Sequence, residues 1–126
     1  MDLPNKITIV LASDNMYAVM IAALIKSIEL NHKTKENLEF FVIDDGISNR
    51  NIEKIKKSVD TTTTINWMKS NKIIPSYFKF PSDRGSLPFT TYLRLFAPYI
   101  VGEHCKKLIY MDVDMLLYDD ISKFYN

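Results

Sequence analysis

Apolar and polar residues near the N-terminus follow two different periodicities in succession. Ile7 to Ala12 form a β-branched apolar run of strand length, and a helical pattern covers Met16 to Leu30 after the polar break at residues 13–15. Apolar side chains recur along this helix at spacings of three and four: Tyr17, Ile21, Leu24 and Ile28, with Met20 and Ile25 widening the apolar face. The pattern predicts a strand, a turn and a mostly buried helix.

The same order is repeated in the next thirty residues. Leu38 to Ile43 have the length and composition of a second strand, and Asp44-Asp45-Gly46 are typical of a turn. Ser48 is a favourable N-cap, which predicts a second helix to about Val59. Thr61 to Thr64, continuing through Ile65 and Trp67, predict entry into a third strand.

The second half of the chain is less regular. Residues from about Lys69 to Phe89 contain three prolines and no periodicity, which predicts an irregular loop. Thr90 to Phe96 favour a short helix stopped by Pro98. Lys107 to Met111 predict a fourth strand that runs directly into an acidic segment, and Asp119 or Asp120 is placed to cap one last helical turn.

Alternating strands and helices require crossover helices on both faces of a mostly parallel sheet, so the predicted class is α/β with a Rossmann-like sheet. The length of 126 residues allows one domain at most, covering residues 1–126. Hydrophobic residues make up 47% of the chain, a globular composition that disfavours disorder.

Charge and cysteine content indicate which partners and which cellular setting the protein has. Sixteen basic and fifteen acidic residues leave a net charge of +1, which disfavours nucleic-acid partners, and Lys54 to Lys57 are interpreted as the solvated side of a helix. Cys105 has no cysteine to pair with and no metal-site spacing, which favours a reducing, cytoplasmic setting. We expect neither a signal peptide nor a transmembrane segment, because the longest apolar run, Met16 to Ile25, is too short to cross a bilayer.

The strongest candidate chemistry lies after the fourth strand. Asp112 and Asp114 flank a single residue, so on a straight strand both carboxylates point to one face and converge on one hard cation. Such a cation could neutralise a diphosphate. The alternative interpretation of this pair is a solvated acidic turn that binds no metal. Asp14 follows the first strand and belongs to the same rim of the sheet, where open α/β sheets bind ligands.

Other polar and aromatic positions carry weaker signals. No glycine-rich dinucleotide motif follows the first strand, although Ala12 allows close backbone approach. Tyr17 stacks on a base or packs in the core, and core packing is favoured. Arg94 lies between apolar residues and should find a carboxylate or phosphate partner. His32 and His104 lack a supporting constellation and are expected at the surface.

Three segments together resemble the family 8 glycosyltransferases, which include bacterial lipopolysaccharide galactosyl- and glucosyltransferases and glycogenin. They are Ile9-Val10-Leu11-Ala12-Ser13-Asp14, Thr91-Tyr92-Leu93-Arg94-Leu95 and Leu108-Ile109-Tyr110-Met111-Asp112-Val113-Asp114. Phe41 to Ser48 also resemble the second strand and turn of that family. The resemblance covers nearly the whole chain and implies a GT-A fold.

The resemblance also implies a reaction and a set of contacts. It implies transfer of galactose or glucose from a UDP-sugar to a glycan or lipid-linked saccharide acceptor, with retention at the anomeric carbon and with Mn²⁺ or Mg²⁺ as cofactor. By position, Asp112 and Asp114 would ligate the metal, Tyr17 would stack on uracil and Arg94 would reach the sugar or phosphate. The implied nucleotide-sugar contacts are Ala12, Asp14, Tyr17, Arg94, Asp112, Val113 and Asp114.

Two departures from the family pattern limit this interpretation. Met16 stands where many members have a polar residue near the nucleotide. Members of the family also continue well beyond the Asp-x-Asp segment with a metal-binding His and the acceptor pocket, so we interpret the chain as the N-terminal donor-binding part of a longer product. On its own it is expected to bind donor weakly, to transfer sugar poorly or not at all and to self-associate through exposed sheet edges.

Three other functions are alternatives, and two of them, a phosphatase and a receiver domain, fit fewer of these residues. A catalytically incomplete nucleotide-sugar-binding module is the main alternative to an enzyme. A haloacid-dehalogenase-type phosphatase also places Asp-x-Asp after an apolar strand, but its motif begins the fold and continues Gly-Thr rather than Met115-Leu116. A receiver domain requires its acidic pair after the first strand, whereas Asp44-Asp45 follow the second.

Overall fold

The computed structural model describes residues 6–74, 93–102 and 105–125. Its elements are β1 (Lys6–Asp14), α1 (Ala18–Asn31), β2 (Asn37–Asp45), α2 (Asn49–Ser58), β3 (Thr63–Lys69), α3 (Ser70–Ile73), α4 (Ala97–Ile100), β4 (Ile109–Tyr110) and α5 (Ser122–Tyr125). A 3₁₀ turn, Arg94–Phe96, precedes α4. Within these ranges no helix is both long and apolar enough to cross a membrane.

All strand pairings in the four-stranded sheet are parallel, and the strand order is β3-β2-β1-β4. β1 and β2 pair along their whole length, from Lys6 opposite Asn37 to Asp14 opposite Asp45. β4 is short and joins β1 through Ile109 opposite Ile9 and Tyr110 opposite Val10. The predicted mostly parallel α/β sheet is confirmed, and the carboxyl ends of its strands lie along one rim.

The sheet is buried on both faces because the apolar strands alternate their side chains between two separate cores. Ile7, Ile9 and Leu11 of β1 pack on one face with the apolar stripe of α1. Val10 and Ala12 pack on the other face with Leu93, Ala97 and Ile100. Continuous apolar strands such as β1 are expected where helices cover both faces of a parallel sheet.

The turn between β2 and α2 forms as its residue types predict. Asp44 Oδ1 accepts hydrogen bonds from the backbone N–H groups of Gly46 and Ile47, at 3.0 and 2.6 Å. Gly46 has a φ of +95°, a conformation in which a β-carbon is strained. Ser48 then caps α2 by accepting a hydrogen bond from Asn51 N–H at 3.2 Å. The lysines of α2, Lys54, Lys56 and Lys57, are exposed as expected.

Two expectations about helix position were wrong. Pro98 does not stop a helix: it occupies the first turn of α4, where its missing N–H has no intrahelical acceptor to lose. α1 begins at Ala18 rather than Met16, and Met20 is 38% exposed, so the apolar face of this helix is narrower than the sequence predicts. The predicted irregular loop was also wrong at its start, because Lys69 ends β3 and Ser70–Ile73 form α3. Residues 75–89 of that loop and the start of the predicted helix, residues 90–92, lie outside the described residues.

The segment that follows β4 is hydrogen-bonded to the end of α1. His32 takes part in these contacts, so the expectation that it lies at the surface was wrong. The His32 ring is only 12% exposed, with Nδ1 3.4 Å from Asp120 Oδ1 and Nε2 2.6 Å from the backbone oxygen of Glu36. Asp120 Oδ2 also accepts from Lys33 N–H at 2.8 Å, and Asn31 Nδ2 donates to Leu117 O at 3.0 Å. His104 lies outside the described residues.

Candidate functional site

The rim formed by the carboxyl ends of β1 and β4 brings together two of the segments selected from the sequence. Val10 pairs with Tyr110, and Met111 N–H donates to Val10 O at 3.0 Å. Ala12 and Asp112 each stand two residues beyond that pair on parallel neighbours. Ala12 is buried and has a small side chain, whereas Asp112 is exposed.

The acidic pair has a different local geometry from the one predicted. β4 ends at Tyr110 and the chain turns at residues 113–114, so Asp112 and Asp114 do not lie on a straight strand. Both carboxylates are exposed, whereas the Val113 side chain between them is half-buried against the core. Val113 therefore anchors the turn while its two neighbours face solvent.

These carboxylates have the oxygen ligands that a divalent cation prefers, but the pair supplies only part of the number of ligands that such a cation binds. Hard cations such as Mn²⁺ and Mg²⁺ prefer oxygen ligands, which Asp112 and Asp114 supply. Within residues 6–74, 93–102 and 105–125, no three His, Cys, Asp or Glu side chains lie together as a metal-binding group. The pair can thus provide two protein ligands, and the remaining positions would be filled by substrate oxygens, water or other residues.

The loop after β1 is held by its own polar side chains. Asp14 Oδ1 accepts a hydrogen bond from Tyr17 N–H at 3.2 Å. Asn15 Oδ1 accepts from Ser48 N–H and from Asn51 Nδ2, both at 2.9 Å, and so joins the loop to the start of α2. Sequence reasoning missed Asn15, although its position in a polar break directly after a strand is a recognisable signal.

Tyr17 is 44% exposed, so the favoured expectation that it packs in the core was wrong. The residue precedes the first residue of α1 in a turn conformation, outside the buried stripe of that helix. An aromatic ring that is partly in solvent next to Asp14 offers a flat face for a planar ligand.

Arg94 is also exposed, and this corrects the argument that burial would force it to find a partner. No carboxylate of the described residues forms an ion pair with it. The preceding residue, Leu93, is fully buried against β1 and β2 residues and fixes the start of the 3₁₀ turn. The guanidinium is therefore carried on an anchored element and remains available to an anion.

Tyr110 is a residue of this rim that the sequence reasoning treated only as part of an apolar strand. Burial and, to a smaller extent, the Asp112 charge raise the pKa of its phenol to about 12, and the Arg94 charge opposes this shift. The phenol thus lies within electrostatic range of both charged side chains and stays protonated at neutral pH. Its shift shows that Asp112 and Arg94 lie near the same phenol, a proximity that the sequence does not predict.

Comparison with known proteins agrees with this arrangement. The sequence model of glycosyl transferase family 8 matches residues 8–126. The chain belongs to glycosyl transferase family 8. This membership covers both strands of the rim and the acidic turn, and it favours the glycosyltransferase interpretation over the phosphatase and receiver-domain alternatives.

Solved structures of family 8 enzymes share the fold. The galactosyltransferase LgtC in complex with donor and acceptor sugar analogs is 28% identical to this chain with a TM-score of 0.77. The bifunctional glycosyltransferase WbbM gives a TM-score of 0.79 at 20% identity, which speaks for the fold alone. The architecture is accordingly that of GT-A glycosyltransferases.

The relatives are considerably longer than this chain. General stress protein A of Bacillus subtilis (strain 168) is 24% identical over 122 residues, which are 94% of this chain and 41% of that protein. The LgtC match covers 94% of this chain and also 41% of LgtC. The chain therefore spans about two fifths of the length of these two relatives.

Proposed function

We propose that this chain forms the donor-binding part of a retaining hexosyltransferase. The donor is UDP-galactose or UDP-glucose, and the acceptor is a glycan or a lipid-linked saccharide of the lipopolysaccharide type. The observation that carries the proposal is the acidic turn Asp112–Asp114 beside the carboxyl end of β1 in a family 8 chain. We expect this protein to act in the cytoplasm, where nucleotide sugars and reduced cysteines occur together.

The acidic turn would bind the diphosphate end of the donor through a divalent cation, Mn²⁺ or Mg²⁺. Asp112 and Asp114 would hold the cation, and their exposure leaves room for substrate oxygens to complete its ligands. When bound, the cation offsets the charge that develops on the leaving diphosphate. Arg94 adds a second positive charge on the Tyr110 side of the same rim.

The loop after β1 would bind the nucleoside. The exposed face of Tyr17 stacks on uracil, Asp14 contacts the uridine, and the small side chain of Ala12 allows the nucleotide to approach the backbone. In the reaction, the bond between the anomeric carbon and the diphosphate oxygen breaks, and a bond to an acceptor hydroxyl oxygen forms. The hydroxyl proton passes to the leaving diphosphate or to solvent, and UDP is the other product.

Calorimetric titration of UDP, UDP-galactose and UDP-glucose, with and without Mn²⁺, tests the donor site. We expect binding that depends on the metal and that weakens at least tenfold in Asp112→Asn, because one of the two carboxylate ligands becomes a weak neutral one. Asp119→Asn is the matched control, since this exposed carboxylate lies in the same segment outside the rim and the amide oxygen can still accept from Asp120 N–H.

Metal-independent binding, or equal losses in both variants, would contradict a metal-assisted donor site. Folding of each variant is checked by its thermal transition, so that loss of binding is not confused with loss of structure.

A catalytically incomplete nucleotide-sugar-binding module is the second candidate, because every residue that we propose for the rim binds the donor and none binds an acceptor. A transfer assay with radiolabelled UDP-galactose or UDP-glucose and lipopolysaccharide-type saccharides as acceptors separates the two. Product with the donor's anomeric configuration supports the transferase. Metal-dependent donor binding without any product supports the module.

A further inference from the structure

A second cleft, of about 360 Å³, lies at the other end of the same rim, where the edge strand β3 finishes. α2 contributes residues on one side and α3 contributes Lys72 on the other, so the cleft straddles the strand end. Adjacent strands are about 4.8 Å apart, which places this cleft about 10 Å from the β1 rim and further from β4. Its size is within the range of pockets that hold small molecules.

Positive charge exceeds negative charge in this cleft. Lys56, Lys69 and Lys72 line it together with Glu53 and Asp44. Asp44 is buried, and its Oδ1 already accepts from two backbone N–H groups of the following turn. Lys56 has only a loose ion pair with Glu53, at 3.7 Å between two half-exposed side chains, and such pairs contribute little.

The two remaining lysines are available to a ligand. Among the residues that the structure describes, Lys69 and Lys72 take part in no ion pair and no side-chain hydrogen bond. Lys69 ends β3 and Lys72 lies three residues later on α3, and both exposed lysines line the same cleft. Paired ammonium groups of this kind attract phosphate more strongly than a single one.

Trp67 gives the cleft an apolar and aromatic wall. The residue is partly buried and lines the cavity, and its Nε1 is a buried donor that finds no hydrogen-bond acceptor among the described residues. A ligand with both an anionic group and an uncharged body matches this combination of ammonium groups and indole. Trp67 is also the only tryptophan of the chain, so its fluorescence reports on this cleft alone.

We propose that this cleft is a second ligand site, which binds a small organic phosphate such as a phosphorylated sugar. The phosphate contacts Lys69 and Lys72, and the sugar packs against Trp67. The site is separate from the donor rim at β1 and β4, and it does not depend on the proposed transfer reaction.

Fluorescence and calorimetric titrations of the 126-residue chain with glucose 6-phosphate test the site, with glucose as the uncharged probe. We expect a saturable response to the phosphate and none to glucose. In the double variant Lys69→Gln/Lys72→Gln, the dissociation constant rises at least tenfold. The matched control is Lys54→Gln/Lys57→Gln, which removes the same charge from exposed positions of α2 outside the cleft.

Three results would overturn the proposal. The first is no saturable signal by either method, and the second is an equal loss in both double variants, which means non-specific charge attraction. The third is loss of glucose 6-phosphate binding in Asp112→Asn, which means that the phosphate occupies the donor rim. The proposed donor function fails on a different result, retention of Mn²⁺-dependent UDP-sugar binding by Asp112→Asn, so the two proposals can fail separately.

Discussion

Single side chains in this protein take their roles from exposure more than from residue type. Tyr17 and Ile21 share the apolar spacing of α1 in the sequence, yet Tyr17 is 44% exposed and Ile21 is fully buried. The reverse holds for His32, which was expected at the surface. Its ring contacts Asp120 and a backbone oxygen instead. Residue type predicted which chemical groups each side chain carries, and position in the fold decided which of those groups are exposed and which are buried.

Substitution of Tyr17 distinguishes a nucleotide-stacking role from a structural one. In Tyr17→Ala we expect about tenfold weaker UDP binding, since base–aromatic stacking contributes about 1–3 kcal/mol. Tyr17→Phe keeps the ring and should bind UDP as well as the unmodified protein does. Calorimetry measures the affinities and urea unfolding measures stability. A large loss of stability in Tyr17→Ala with unchanged UDP affinity would mean that Tyr17 is a packing residue after all.

Asp120 makes the stability of the protein sensitive to acid. Burial raises the pKa of this carboxyl, but hydrogen bonds from the backbone N–H groups of Ser122 and Lys33 outweigh it and lower the pKa from 3.8 to about 2. A lowered folded-state pKa stabilises the protein above pH 4, and this stabilisation is lost as the pH falls towards 2. Urea unfolding at a series of pH values should show this loss.

The matched variant for that measurement is Asp120→Asn, which cannot ionise. We expect a reduction of about 1–3 kcal/mol in the free energy of unfolding at pH 7, because a buried donor loses its charged acceptor. Its stability should then change less between pH 4 and pH 2 than that of the unmodified protein. The same acid sensitivity in both proteins would assign the effect to other carboxyls.

At the scale of elements, the first half of the chain is built from local signals that agree with the tertiary fold. The apolar runs became β1 and β2 with one or two more residues at each end, and Ser48 caps α2 where a cap was predicted. The second half depends on contacts between distant segments. β4 pairs through only two residues, and the first turn of α4 contains Pro98, which was expected to end a helix.

The cap of α2 supports both the helix and the loop that carries Asp14, because Asn15 bonds to Ser48 N–H and to Asn51. In Ser48→Ala we expect a loss of about 1 kcal/mol in the free energy of unfolding, the usual effect of removing an N-cap acceptor. Ser48→Asp restores an acceptor and should recover most of that loss. Urea unfolding at pH 7 measures both, and equal losses would show that the hydroxyl acts by something other than capping.

At the scale of the whole molecule, the face beyond β4 is apolar and open in the described residues. A groove of about 600 Å³ lies there between β4 and the segment that follows it. Large apolar side chains are exposed around it: Met115, Leu116, Tyr118 and Phe124. Exposed apolar surface next to a strand edge favours association with other protein surfaces.

We therefore keep the prediction that the 126-residue chain self-associates, and we assign it to this groove. Light scattering coupled to size-exclusion chromatography should show a mass that rises with protein concentration. The variant Leu116→Lys/Phe124→Lys should shift the protein towards monomer, whereas Val19→Lys, an exposed apolar position on α1, should not. A strictly monomeric profile of the unmodified chain at all concentrations would contradict the prediction.

The amino-acid sequence by itself determined the α/β class, the first three strands and the two long helices, because periodicity, capping and turn residues are local properties. It also selected Asp14, Asp112 and Asp114, because charged residues at strand ends are visible as breaks in apolar runs, and Arg94, because a charge between apolar residues stands out. Only the tertiary structure decided which of these side chains lie close together. The pairing of β4 with β1 brought Tyr110 within electrostatic range of Asp112 and Arg94, and the end of β3 gathered lysines from three elements. Burial and charge proximity arise from long-range packing, which no short window of sequence contains.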